Sequence, residues 1–85
     1  SNPLHGLALM NLGNLLFKAG QHGEALKLLD RAAGALPRDP RAWYNFGIAQ
    51  ELTGQRPQAA ISYEKALAVN PGFEDARARL KGLRK

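Results

Sequence analysis

The chain repeats itself, and that constrains its fold more than any other feature. Slid by 34 residues, positions 6–39 fall on 40–73 without a gap. Eight pairs are then identical: Ala8/Ala42, Asn11/Asn45, Gly13/Gly47, Gly20/Gly54, Gln21/Gln55, Ala25/Ala59, Ala32/Ala66 and Pro37/Pro71. Leu12/Phe46, Leu29/Tyr63, Asp30/Glu64 and Arg31/Lys65 keep their character. The conserved pairs are mostly small residues and proline, whose roles are geometric. A period of this length marks a supersecondary unit that buries its apolar side only by stacking on a copy of itself.

Each unit reads as two helices. In the second, Asp39 is an N-cap and Pro40 fits the first helical position. Trp43, Phe46, Gly47 and Gln50 follow at helical spacing, and Gly54 is the stop. Pro57 starts the next helix, whose apolar stripe is Ala59, Ala60, Tyr63, Ala66 and Leu67, and Pro71-Gly72 ends it. The first unit matches: Leu9, Leu12, Gly13 and Leu16 up to Gly20, then Ala25, Leu28, Leu29, Ala32 and Ala33 before Pro37. A residue preceding proline is pushed out of the α region, so Leu36 and Asn70 are expected boundaries. No segment alternates with period two, so no strands are expected. Glycine inside a helix costs about 1 kcal/mol relative to alanine. Gly13 and Gly47 therefore point to close helix approach, with Leu12, Trp43, Phe46 and Tyr63 as the large side chains filling the space.

Size and chemistry exclude much. Eighty-five residues suffice for one small domain without a deeply enclosed active site. There is no cysteine, so disulfides and thiolate metal sites are excluded. His5 and His22 stand apart with no acidic cluster and read as surface or cap residues, so no metal is expected. No nucleophile–base signature and no phosphate-binding glycine loop occurs, so neither an enzyme nor a cofactor is expected. No apolar run approaches the ~20 residues needed to span a bilayer, and no signal peptide is visible. The reading favours a soluble protein, with the cytoplasm preferred and the compartment otherwise open. Ser1-Asn2 is consistent with a cloning remnant, and the Ala/Arg/Leu/Gly-rich usage with a bacterial genome.

The net charge is +5, and five of the cations (Arg77, Arg79, Lys81, Arg84, Lys85) sit in residues 74–85 against Glu74 and Asp75. That distribution fits a solvated last helix whose ends complement the macrodipole. A nucleic-acid or anionic-surface patch over 77–85 is the alternative.

The pattern W-x2-[LF]-G, then G, then A-x3-[YF]-x2-A and a closing P resembles the tetratricopeptide repeat. Trp43, Phe46, Gly47, Gly54, Ala59, Tyr63, Ala66 and Pro71 carry it in one copy. Leu9, Leu12, Gly13, Gly20, Ala25, Leu29, Ala32 and Pro37 carry it in the other. The resemblance implies an all-α, tandem helix-turn-helix fold, about five antiparallel helices in a right-handed superhelix. Its parts would be repeat one at 6–39, repeat two at 40–73 and a capping helix at 74–85. It also implies a non-catalytic protein-interaction module whose concave groove, lined by the first helix of each hairpin, holds a peptide or partner protein.

The stripe opposite the core then supplies the groove candidates: Leu7, Met10, Asn14, Phe17 and Lys18; Arg41, Tyr44, Asn45, Ile48, Glu51 and Leu52; and Arg79 with Asp75 on the last helix. Some of these apolar residues would instead pack within the array or against a further repeat. Some members of the family clamp a chaperone peptide's terminal carboxylate with two asparagines and three cations. Asn14, Asn45 and Arg79 match that set, whereas Met10 and Asp75 stand where lysines belong. Self-association through exposed end faces, giving a homodimer, is the rival to partner binding. No small-molecule substrate is expected.

Overall fold

The computed structural model describes residues 3–84; Ser1, Asn2 and Lys85, the last cation of the C-terminal cluster, lie outside them. Five helices follow one another: α1 (Pro3–Lys18), α2 (His22–Ala35), α3 (Pro40–Leu52), α4 (Arg56–Val69) and α5 (Glu74–Leu83). No strand occurs among the described residues. The body measures 33 × 27 × 15 Å, a slab in which α1 packs on α2, α3 on α4, and α2 and α4 each carry the next helix.

Local chemistry sets the boundaries. Asp39 caps α3, its carboxylate accepting from the Arg41 amide at 3.0 Å with Pro40 in the first turn. Gly20 and Gly54 close α1 and α3 with φ of +86° and +84°, a left-handed conformation that any side chain would strain. In each turn the following glutamine amide reaches back five residues, Gln21 to Leu16 and Gln55 to Gln50. Leu36 and Asn70 are the C-caps of α2 and α4, as their proline neighbours require.

The small residues do what their spacing predicts. A Cβ added at Gly13 would come within 2.8 Å of the Leu29 side chain. At Gly47 it would come within 2.6 Å of the Tyr63 ring. The two hairpins thus close by the same device, glycine under a large buried side chain. Two apolar clusters result. Leu9, Met10, Leu29, Ala32, Ala33, Ala42 and Ala49 make the first. Ala59, Tyr63, Ala66, Ala76 and Leu80 make the second, and half-buried Trp43 packs against both. The Trp43 indole also donates to the Pro37 carbonyl at 3.1 Å.

Two expectations fail. Met10, placed in the groove, is 5% exposed and belongs to the first core. Leu12, expected as a core-filling side chain, is 48% exposed. Its counterpart Phe46 packs against the first core, whereas among the described residues no helix lies on the outer side of α1 to cover Leu12.

Candidate functional site

The first helices of the hairpins, α1 and α3, lie side by side with α5 beyond. Between α1 and α3 is a concave pocket of about 220 Å³ lined by Asn14, Phe17, Lys18, Leu29, Asn45, Ile48 and Ala49. Five groove candidates, Asn14, Phe17, Lys18, Asn45 and Ile48, thus meet at one place. Leu29 and Ala49, which sequence reading assigned to packing or left aside, line it with them. The Phe17 ring stacks on His22 with centroids 4.3 Å apart, tying the pocket's α1 side to the start of α2.

The α3–α5 side is built differently. Tyr44 lies between two rings, 5.9 Å from Tyr63 and 5.3 Å from Phe73. The Tyr63 hydroxyl donates to Glu51 Oε1 at 2.7 Å, and Arg79 Nη1 approaches the same oxygen at 3.7 Å. Burial first, then the Glu51 carboxylate, pushes the Tyr63 hydroxyl far above its ordinary pKa, so it stays a donor. Burial works against the Arg79 charge, but hydrogen bonding to Tyr44 and the Glu51 charge outweigh it and hold its pKa above the usual value.

The remaining candidates are scattered. Leu7 is half-buried against the first core. Leu52 is 60% exposed at the end of α3. Arg41 does not enter the pocket. Its guanidinium grips Asp39 through Nε at 3.0 Å and Nη2 at 2.6 Å. That grip holds the Asp39 carboxyl below the usual carboxylate range, partly opposed by burial.

Sequence reading missed Phe73, because position 73 matches the cap residue Asp39 and repetition predicts no aromatic there. It placed Tyr63 in the core but could not foresee its hydroxyl on Glu51, a contact between separate helices.

Two larger hollows lie elsewhere. One of about 460 Å³ is formed by the connection Ala35–Pro40, where Asp39, the one acid lining it, is already engaged. One of about 550 Å³ between α4 and α5 is lined by Leu67, Arg77, Leu80, Lys81 and Arg84. Two of its three cations are occupied: Arg84 pairs with Glu64, and Arg77 with Glu74 and the Pro71 carbonyl. Among the described residues there is no group of three metal-ligating side chains, and no helix long and apolar enough to cross a membrane.

Comparison with known proteins agrees with this architecture. The family profile described as "Tetratricopeptide repeat" matches residues 1–40 and 10–75. The TPR repeat-containing thioredoxin TTL4 of Arabidopsis thaliana is 31% identical over 71 residues, 84% of this chain and 10% of that protein. The probable biofilm formation methyltransferase WspC of Pseudomonas aeruginosa is 34% identical over 68 residues, 80% of this chain and 16% of that protein. The chain therefore spans only a small part of these relatives. Among solved structures, the first TPR domain of Spaghetti (RPAP3), bound to the HSP90 peptide SRMEEVD, superposes with a TM-score of 0.91. It is 25% identical, and the match covers 99% of this chain and 68% of that one. The Sgt2 TPR domain of Aspergillus fumigatus gives 0.85 at 28% identity, covering 93% of this chain and 52% of that one.

Proposed function

The chain belongs to the tetratricopeptide repeat family, and on that premise we propose that it is a non-catalytic module that binds an extended peptide segment in the groove of α1, α3 and α5. One observation carries the reading: the α1–α3 pocket. Its apolar surface comes from Phe17, Leu29, Ile48 and Ala49, and its polar groups are Asn14, Asn45 and Lys18. An apolar hollow with a few convergent polar groups is the usual form of a recognition site. The asparagine side chains offer both donors and acceptors, which an extended backbone needs. The peptide bound by the Spaghetti domain supports a peptide as the class of ligand. Affinity would come from burying side chains against Phe17, Ile48 and Tyr44.

The test is selection of peptides from a random library, followed by titration against Asn14→Ala/Asn45→Ala. Each lost hydrogen bond is worth about 1 kcal/mol, so the double variant should bind at least about tenfold more weakly. Unchanged affinity in a variant of unchanged helicity would remove the groove assignment.

A second reading, self-association, is favoured by the outer side of α1. Leu12 at 48% and Leu15 at 64% exposure lie there with exposed Ala8, and no charged residue stands between them. Exposed apolar surface of this kind marks interaction sites. Sedimentation equilibrium over a wide concentration range separates the two. A monomer of about 9 kDa throughout leaves groove binding; a dimer that persists in high salt and dissociates on Leu15→Lys supports self-association.

A further inference from the structure

We propose that the hollow between α4 and α5 docks an acidic amphipathic helix of a partner protein. Its apolar side chains would lie on Leu67 and Leu80, and its carboxylates on Arg77, Lys81 and Arg84. The site is separate from the groove and does not depend on the groove reading. The 34-residue register shows what kind of place it is. Moved back by one repeat, Arg77, Lys81 and Arg84 fall on Trp43, Gly47 and Gln50. Those three form the side that α3 turns to α4. Trp43 packs against the cluster of Ala59 and Tyr63, and a Cβ at Gly47 would strike the Tyr63 ring. Gln50 accepts from Ser62 Oγ at 2.5 Å. One repeat earlier, Gly13 meets Leu29 of α2 in the same way. In both hairpins this side of the first helix is therefore the seat of a second helix. On α5 it opens instead onto the hollow of about 550 Å³.

The seat has kept its floor and changed its rim. Leu80 is buried and Leu67 half-buried beneath it. Where the hairpins have glycine, α5 has Lys81, so no helix can close on it as α2 and α4 close on theirs. A helix seated here meets cations. They lie at i, i+4 and i+7 along α5, a line of about 10 Å that carboxylates at the same spacing on an opposing helix can follow. Lys81 is in no ion pair among the described residues. Arg77 and Arg84 pair with Glu74 and Glu64, but these pairs are exposed, contribute little and can exchange for incoming carboxylates. An apolar floor with a charged rim is how a groove takes an amphipathic helix, the charges choosing the partner. Nucleic acid suits the place less well. Glu64 and Glu74 stand against the three cations, whereas backbone binding grows with each phosphate neutralised and draws nothing from the leucines.

The experiment uses the whole chain and fluorescent peptides of about four helical turns. One has leucines along one side flanked by glutamates at i, i+4 and i+7. A second has lysines for the glutamates, and a third has the first peptide's residues scrambled so that no face forms. Fluorescence anisotropy should show the glutamate helix binding about tenfold more tightly than the lysine one, since each exposed pair contributes up to about fivefold. Lys81→Glu should weaken the glutamate helix about fivefold. Asn14→Ala/Asn45→Ala, which alters the groove, should leave it unchanged. If the glutamate helix does not bind, the proposal falls and the groove reading is untouched. If the scrambled peptide binds as well, the surface attracts charge and docks no helix. Loss of binding in the Asn14→Ala/Asn45→Ala variant would move the peptide to the groove. Tighter binding of a single-stranded oligonucleotide than of the glutamate helix would make this a nucleic-acid surface. A dimer in sedimentation that Lys81→Glu dissociates would make the occupant a second copy of the chain.

Discussion

Helices α1 and α3 occupy the same place in the 34-residue register, yet their outer sides meet opposite fates. Ala42 and Ala49 are buried against α2, and Phe46 packs on the same core. Ala8, Leu12 and Leu15, which match them one for one, are exposed. The residue types do not decide this: Ala8 and Ala42 are identical, and Leu15 is larger than the buried Ala49 it matches. Burial here is a property of the stack rather than of the helix. An apolar stripe states that a surface is fit to be covered, and only an adjoining helix decides whether it is.

The sharpest way to break the comparison is Ala49→Lys, which forces a charge between α2 and α3. It should cost about 3 kcal/mol or more, or prevent folding, read as the urea midpoint. A cost below about 1 kcal/mol would mean that the α2–α3 contact is looser than described. Next is the glycine pair. Gly47→Ala meets a rigid ring, whereas Gly13→Ala meets a leucine with rotamer freedom. We expect about 2 kcal/mol at Gly47 and distinctly less at Gly13. Equal losses would show that the two hairpins yield alike.

A smaller effect separates the helix starts. Asp39 caps α3, whereas the matching residue in α1 is His5 and in α5 is Phe73. Asp39→Ala should lose about 1 kcal/mol at neutral pH. The native carboxyl pKa is depressed, so its charged form stabilises the fold above the unfolded value near 4. That contribution falls away as pH drops through the depressed native value. The difference between wild type and Asp39→Ala should therefore shrink in acid; a difference independent of pH would assign the cap's effect to something other than the carboxylate. The smallest effect expected is Leu15→Lys, within about 0.5 kcal/mol in the monomer. A large loss there would reveal a partner for α1 in solution.

The hairpins were legible because their signals are steric and local. Asp39-Pro40, the two left-handed glycines and the residues before Pro37 and Pro71 each fix a boundary with little help from the rest of the molecule. Gly13 and Gly47 announced close approach, and the structure shows which side chain approaches each. Outward-facing residues were harder. Met10 and Tyr44 share a register position, but Met10 enters the first core while Tyr44 lies between two rings. A difference of part of a turn separates groove from core on a helix touched from several sides. Leu12 was misplaced because the pattern carries no record of an absent neighbour. The Glu51–Tyr63–Arg79 cluster joins three helices, so no spacing along the chain could reveal it.

The turns at Gly20 and Gly54 have a consequence for how such a chain can change in length. Their dihedrals differ by only 2°, and their return hydrogen bonds of 2.9 and 2.8 Å connect matching residues. Two joints of one shape make the hairpins interchangeable parts. Copying 34 residues in register would lengthen the groove by one row of side chains and carry its existing curve onward, leaving the residues already present where they are.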